Sequence, residues 1–132
     1  MSNNNFPENL LYNKDYSWVK IDGDTATLGL IGPAASQVEE FVFIQLPEKG
    51  QKLNRGDNYI SLEAVKWSGH LSSPLSGEVV EVNSPLFDEP GTINQDPYGE
   101  GWIVKIKMSD QKETEDLLGP EEAQKWFEEN QQ

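Results

Sequence analysis

A mostly β fold with short peripheral helices is the class this sequence predicts, and three observations carry the prediction. Runs of alternating apolar and polar residues recur at residues 17–30, 59–64, 77–82 and 102–108. Such period-two alternation marks strands with one buried and one wet face. Turn formers punctuate the runs, led by Asp22-Gly23-Asp24 and Pro47. Helical signals are confined to a short stretch after Gly32-Pro33 and to the acidic C-terminal end.

Taken in order, residues 1–10 are polar and Asn-rich and are expected to be loose. Residues 11–132 are expected to form one domain, a length that supports a sizeable core. "YSWVKIDGDTATLGLI" predicts a hairpin turning at Asp-Gly. "GPAASQVEEF" predicts one or two helical turns, and "FVFIQLP" a buried strand ended by Pro47. "EKGQKLNRGDNY" reads as a polar turn region. Residues 59–64 and 77–82 then read as two strands, with a turn carrying Lys66 between them. "NSPLFDEPGTINQDPYGEG" holds three Pro and three Gly in nineteen residues, which predicts a loop with local turns. "WIVKIKM" is a further alternating strand. Residues 109–132 form a helical extension with eight acids and two bases, read as two short helices split by Gly119-Pro120. Leu117, Leu118, Trp126 and Phe127 are expected to dock it.

Composition excludes several functions. The net charge of −13 opposes binding to a nucleic-acid backbone, and the ten bases are scattered. Acidity favours solubility and steers basic protein partners. No apolar run approaches the ~20 residues of a membrane span, and "MSNNNFPENL" does not read as a secretory signal. The chain has no Cys, which rules out disulfides, thiolate nucleophiles and zinc–thiolate sites and is compatible with the cytoplasm. With one His, His70, a histidine-rich metal site and Cys–His catalysis are excluded. His70 itself reads as a surface or half-buried turn residue. Glu39-Glu40 and Glu121-Glu122 are neighbours that do not converge on a substrate, and "DGD" lacks the later ligands of a calcium loop.

A folded core, little catalytic equipment and a lysine at a turn fit a carrier that presents an amine for a covalent cofactor. Specific wording supports this. "YNKDYSWVKIDGDTATLGL", "FVFIQLPEKG", "LEAVKW", "SSPLSGEVVEVN" and "NQDPYGEGWIVKIK" resemble the H protein family of the glycine cleavage system, from about residue 12 to residue 127. Glu63-Ala64-Val65-Lys66 is similar to the acidic-x-hydrophobic-Lys motif of lipoyl domains, flanked by Gly50 and Gly77.

The resemblance implies a lipoyl/biotinyl-type barrel-sandwich hybrid: two small antiparallel sheets with short peripheral helices, including C-terminal helices. It implies lipoic acid amide-linked to Lys66, with Glu63, Val65, Trp67 and His70 forming the hairpin recognition surface and arm environment. The protein would then be no enzyme but a carrier subunit, in the cytoplasm or an organelle matrix. Its implied partners are a lipoate ligase or lipoyl transferase, glycine decarboxylase, aminomethyltransferase and dihydrolipoyl dehydrogenase, with an aminomethyl group as cargo.

Several positions depart from the family pattern. Tyr16-Ser17-Trp18 stands where His-Glu-Trp is usual, and that glutamate helps to hold the loaded arm in the family. Leu30 to Ala35 replaces a more polar segment, and Glu39-Glu40 replaces Gly-Asp. Trp67 and His70 replace an alanine and an aspartate. These changes leave open a specialised carrier of sulfur intermediates alongside heterodisulfide-reductase-like enzymes. An unmodified interaction module is the alternative from another class. Biotin is disfavoured because Val65 and Trp67, not methionines, flank the lysine.

Overall fold

The computed structural model describes residues 6–36, 40–65 and 67–130, apart from the side chains of Trp67 and Asn130. Along the chain come β1 (Leu11–Tyr12), β2 (Ser17–Asp22), β3 (Thr25–Leu30), α1 (Gly32–Ser36), β4 (Phe41–Gln45), β5 (Lys52–Leu53), β6 (Asn58–Ala64) and β7 (Trp67–Ser72). They are followed by β8 (Gly77–Val82), one-turn helices α2 (Pro85–Asp88) and α3 (Thr92–Gln95), β9 (Val104–Met108), a 3₁₀ segment (Gln111–Asp116) and α4 (Pro120–Asn130). A six-stranded sheet has the order β1-β2-β3-β9-β8-β5, and a three-stranded sheet the order β4-β6-β7. All the strand pairs are antiparallel.

The β2–β3 hairpin turns at the predicted Asp-Gly. Asp22 pairs with Thr25, and Gly23 takes φ 66°, a left-handed value that glycine adopts without a Cβ clash. Inward residues alternate as the sheets require. Ala26 and Leu28 on β3, Ile106 on β9 and Val79 on β8 meet Ile44 on β4 and Leu62 on β6 in the core between the sheets.

A second apolar cluster lies under α4. Phe6, Leu10, Tyr12, Trp18, Ile31, Ala123 and Phe127 form it, with Trp126 and Leu118 half-buried against it, while Leu117 packs on the main core. Pro120 opens α4 and Glu121 and Glu122 occupy its first turn, where carboxylates suit the helix dipole. Of the N-terminal segment expected to be loose, residues 1–5 lie outside the described residues. Phe6 is buried, edge-on to Tyr12 at 5.3 Å and to Phe127 at 6.1 Å.

Three expectations need correction. The strand that follows the lysine is β7, not residues 77–82; β8 pairs with β9 and β5 in the other sheet. Only Leu71 of the described side chains of β7 is a buried apolar one, so period-two hydrophobicity gives no signal there. The strand β4 is not buried throughout. A bulge between Phe41 and Phe43 leaves Phe41 and Ile44 inside but Val42 and Phe43 exposed. Finally, the Pro/Gly-rich loop contains two one-turn helices, the first with Pro85 at its start, where a missing N–H costs nothing.

Gly77 marks a close approach of backbones. A Cβ there would run into the backbone carbonyl oxygen of Lys107, the residue before its pairing partner Met108 on β9. Gly77→Ala is therefore expected to lower stability by about 1–3 kcal/mol through overpacking, read as a drop in the urea midpoint at unchanged slope.

Candidate functional site

The hairpin of β6 and β7 is the candidate site. Its last pair is Ala64 with Trp67, followed inward by Glu63 with Ser68, Leu62 with Gly69 and Ser61 with His70. Leu62 and Leu71 face the core, and Ser61, Glu63, Ser68 and His70 are exposed on the outer face. Glu63 and His70 are thus diagonal neighbours on one surface, the offset at which side chains about 7–8 Å apart interact.

Val65 begins the turn and is 80% exposed, more than any other large apolar side chain among the described residues. Lys66 lies outside the described residues, so the attachment expectation rests on its described neighbours. Trp67 is the first residue of β7. His70 sits within that strand, not in a turn as expected.

The far end of the hairpin is tied down. The backbone N–H and the hydroxyl of Ser72 both donate to the Asp15 carboxylate, the first at 2.6 Å, and the Asn13 amide donates to the Ser72 carbonyl at 3.2 Å. The Asn13 side-chain oxygen accepts from Asp15 and Ser17 backbone N–H groups, which shapes the loop that holds Ser72. The tip is therefore braced from its base, as presentation of a fixed backbone shape requires.

Ser17, which replaces the family glutamate, is fully buried. Its Oγ is 2.8 Å from the Tyr59 hydroxyl, a hydrogen bond between two interior groups. Burial pushes the Tyr59 phenol well above its usual pKa, against the opposing effect of the Ser17 bond. Nearby, Tyr16 has φ 66° and packs on Trp126 and Phe127 of α4. Gly32 at the start of α1 donates its N–H to the Tyr98 hydroxyl at 2.8 Å, and burial pushes that phenol up to about 12. The indole N–H of Trp18 donates to the Pro97 carbonyl at 3.0 Å. The "DPYG" segment thereby closes over β2 and α1.

Sequence reasoning missed one feature. Phe43 and Phe87 are 44% and 58% exposed, with ring centroids 6.2 Å apart, on the outer side of the hairpin's own sheet. Apolar periodicity carries no sign of this, because a phenylalanine in an apolar run reads as core.

No group of three or more metal-ligating side chains gathers among the described residues. No helix there is long and apolar enough to cross a membrane.

Comparison with known proteins shows the family. The family model described as "Glycine cleavage H-protein" matches residues 10–130. A relative named "Glycine cleavage system H protein" from Halothermothrix orenii is 42% identical over 125 residues, covering 95% of this chain and 98% of that protein. One of the same name from Rubrobacter xylanophilus is 40% identical over 125 residues, covering 95% and 97%. The crystal structure of a glycine cleavage system H protein from Mycobacterium marinum superposes with a TM-score of 0.79 at 30% identity, covering 95% of this chain and 98% of that one. The chain belongs to the glycine cleavage H-protein family.

Proposed function

We propose that this protein is the lipoyl carrier of a glycine cleavage system, with Lys66 as the residue acylated by lipoic acid. Family membership shows a non-enzymatic carrier class whose members hold lipoic acid covalently on a lysine. The observation that carries the assignment of the residue is the motif Glu63-Ala64-Val65-Lys66 spanning a turn that Ala64 and Trp67 close. The residues present fit such a group. An amide-linked arm needs a turn that projects from the body of the fold, and Val65 beside the lysine is 80% exposed.

When bound, the lipoyl group supplies a cyclic disulfide that opens on reduction and carries a group as a thiol adduct. The chain's own residues do the positioning. Amidation converts the Lys66 ammonium to a neutral amide. Ser72, held by Asp15 and Asn13, fixes the base of the hairpin. Tethering keeps the arm at high effective concentration near each enzyme that docks.

Proposed partners are a lipoate ligase or lipoyl transferase, a glycine decarboxylase, an aminomethyltransferase and a dihydrolipoyl dehydrogenase. The proposed compartment is the cytoplasm or an organelle matrix, where a reducing environment keeps the dithiol usable. The relatives above are all named for glycine cleavage, which favours aminomethyl cargo over the sulfur cargo considered from sequence.

Intact-protein mass after incubation with a lipoate ligase, lipoate and ATP tests the reading. One lipoyl increment is expected, located by proteolysis to the peptide containing Lys66. An unmodified protein, under conditions that modify another H protein, would overturn it.

A further inference from the structure

We infer that the Phe43–Phe87 face is the docking surface for the enzyme that acylates Lys66, and that this enzyme meets it with an apolar contact set among basic residues. The inference rests on the reading of Lys66 as the acylated residue.

Five large apolar side chains are exposed among the described residues, and scattered singly they would need no explanation. They are not scattered. Val42, Phe43 and Val65 belong to the small sheet or its turn, and Phe87 packs against it from α2; only Ile21 lies elsewhere. Phe43 and Phe87 meet edge-on at 6.2 Å. With Ile44, Gln45, Leu46 and Ser84 they line a groove of about 520 Å³. Large aromatic side chains beside a groove are the residue type that dominates binding energy at protein interfaces.

Position selects the partner. Phe43 pairs with Glu63, three residues before Lys66, so the patch lies about 10 Å from the turn at the rise of a strand. A standard interface covers roughly 800 Å² per partner, a disc about 30 Å across. An enzyme whose contact is centred on the Lys66 amine therefore covers Phe43. An enzyme acting on the far end of the arm stands off by the arm's length and need not.

Charge selects the complementary chemistry. Glu63 flanks Phe43 in the sheet, Asp88 and Glu89 follow Phe87 in the chain, and all three are exposed. The Glu40 carboxylate lies against Gly91 nearby. A rim of carboxylates around an aromatic centre steers basic partners and sets the salt dependence of their association.

The test is steady-state lipoylation by a lipoate ligase with lipoate and ATP, varying the concentration of the carrier. Phe87→Ser and Asp88→Lys are compared with wild type, with Ile21→Ser as the exposed apolar control. Melting curves confirm that each variant is folded. Phe87→Ser is expected to raise KM at least about tenfold, as loss of an interface anchor does, with kcat within twofold. Asp88→Lys is expected to raise KM at low salt and to flatten its salt dependence. Unchanged KM in both variants, with normal modification of the wild type, overturns the docking surface alone. A wild-type protein that accepts no lipoyl group overturns the Lys66 reading beneath it. Sedimentation showing a dimer that Phe87→Ser disperses would give the face to a second copy of the chain, and would also overturn the inference.

Discussion

Lys66→Arg is expected to abolish glycine–bicarbonate exchange in a system reconstituted with the decarboxylase, while leaving the fold intact. Arginine keeps the positive charge and a long stem, but its guanidinium stays protonated at any pH a protein survives and does not form the amide. The turn tolerates the exchange because the hairpin is secured elsewhere, by the Leu62 and Leu71 packing and the Asp15–Ser72 bonds at its base. The expected readings are no lipoyl mass increment, exchange at the level of a blank without carrier, and an unchanged melting temperature. Exchange above that blank would show that the arm is carried elsewhere or is not needed. A large fall in melting temperature would show that the position is structural.

The second large effect is expected from Ser17→Glu, which restores the residue usual in the family. The family pattern suggests that it should improve the handling of a cationic cargo, but the surroundings of Ser17 argue otherwise. Ser17 is fully buried, and its hydroxyl is satisfied by Tyr59 at 2.8 Å. A carboxylate in that place would lie beside the Tyr59 phenol rather than a cation, and an uncompensated buried charge costs about 3–5 kcal/mol. Burial would raise the introduced carboxyl above the ~4.3 of a free glutamate. With the folded value above the unfolded one, the variant's deficit relative to wild type is smallest below about pH 4. The deficit grows as pH rises from the unfolded value toward the raised one and levels off above it. Urea unfolding of both proteins at about pH 4 and pH 8 checks the sign. A variant as stable as wild type at the higher pH would show that the pocket opens to admit the side chain.

Much of the fold was legible where local chemistry and tertiary need coincide. Asp22-Gly23 announces its turn because the left-handed residue must be one that tolerates it. The start of α4 is announced by Gly119-Pro120, and its docking face by Trp126 and Phe127. The candidate site is marked by the motif Glu63-Ala64-Val65-Lys66, not by any local periodicity. What was not legible depended on partners distant in sequence. Strand β7 is held by its pairing with β6, with little apolar alternation of its own. The exposure of Phe43 follows from a bulge on an edge strand, which a run of apolar letters cannot register. Ser17 could have faced solvent or core, and only the Tyr59 hydroxyl decides it.

The bulge has a consequence for life at high concentration. With the order β4-β6-β7, the strand β4 ends its sheet, and a straight, apolar terminal strand is a template on which another chain can zip into a growing aggregate. Here the ladder is broken between Phe41 and Phe43, and the Phe41 N–H is occupied by the Asn94 side-chain oxygen at 2.9 Å. The same irregularity that turns an aromatic ring outward thus spoils the edge for self-templating, and the net charge of −13 keeps copies apart. A shuttle that must meet several enzymes in turn can therefore display a sticky surface without polymerising through it.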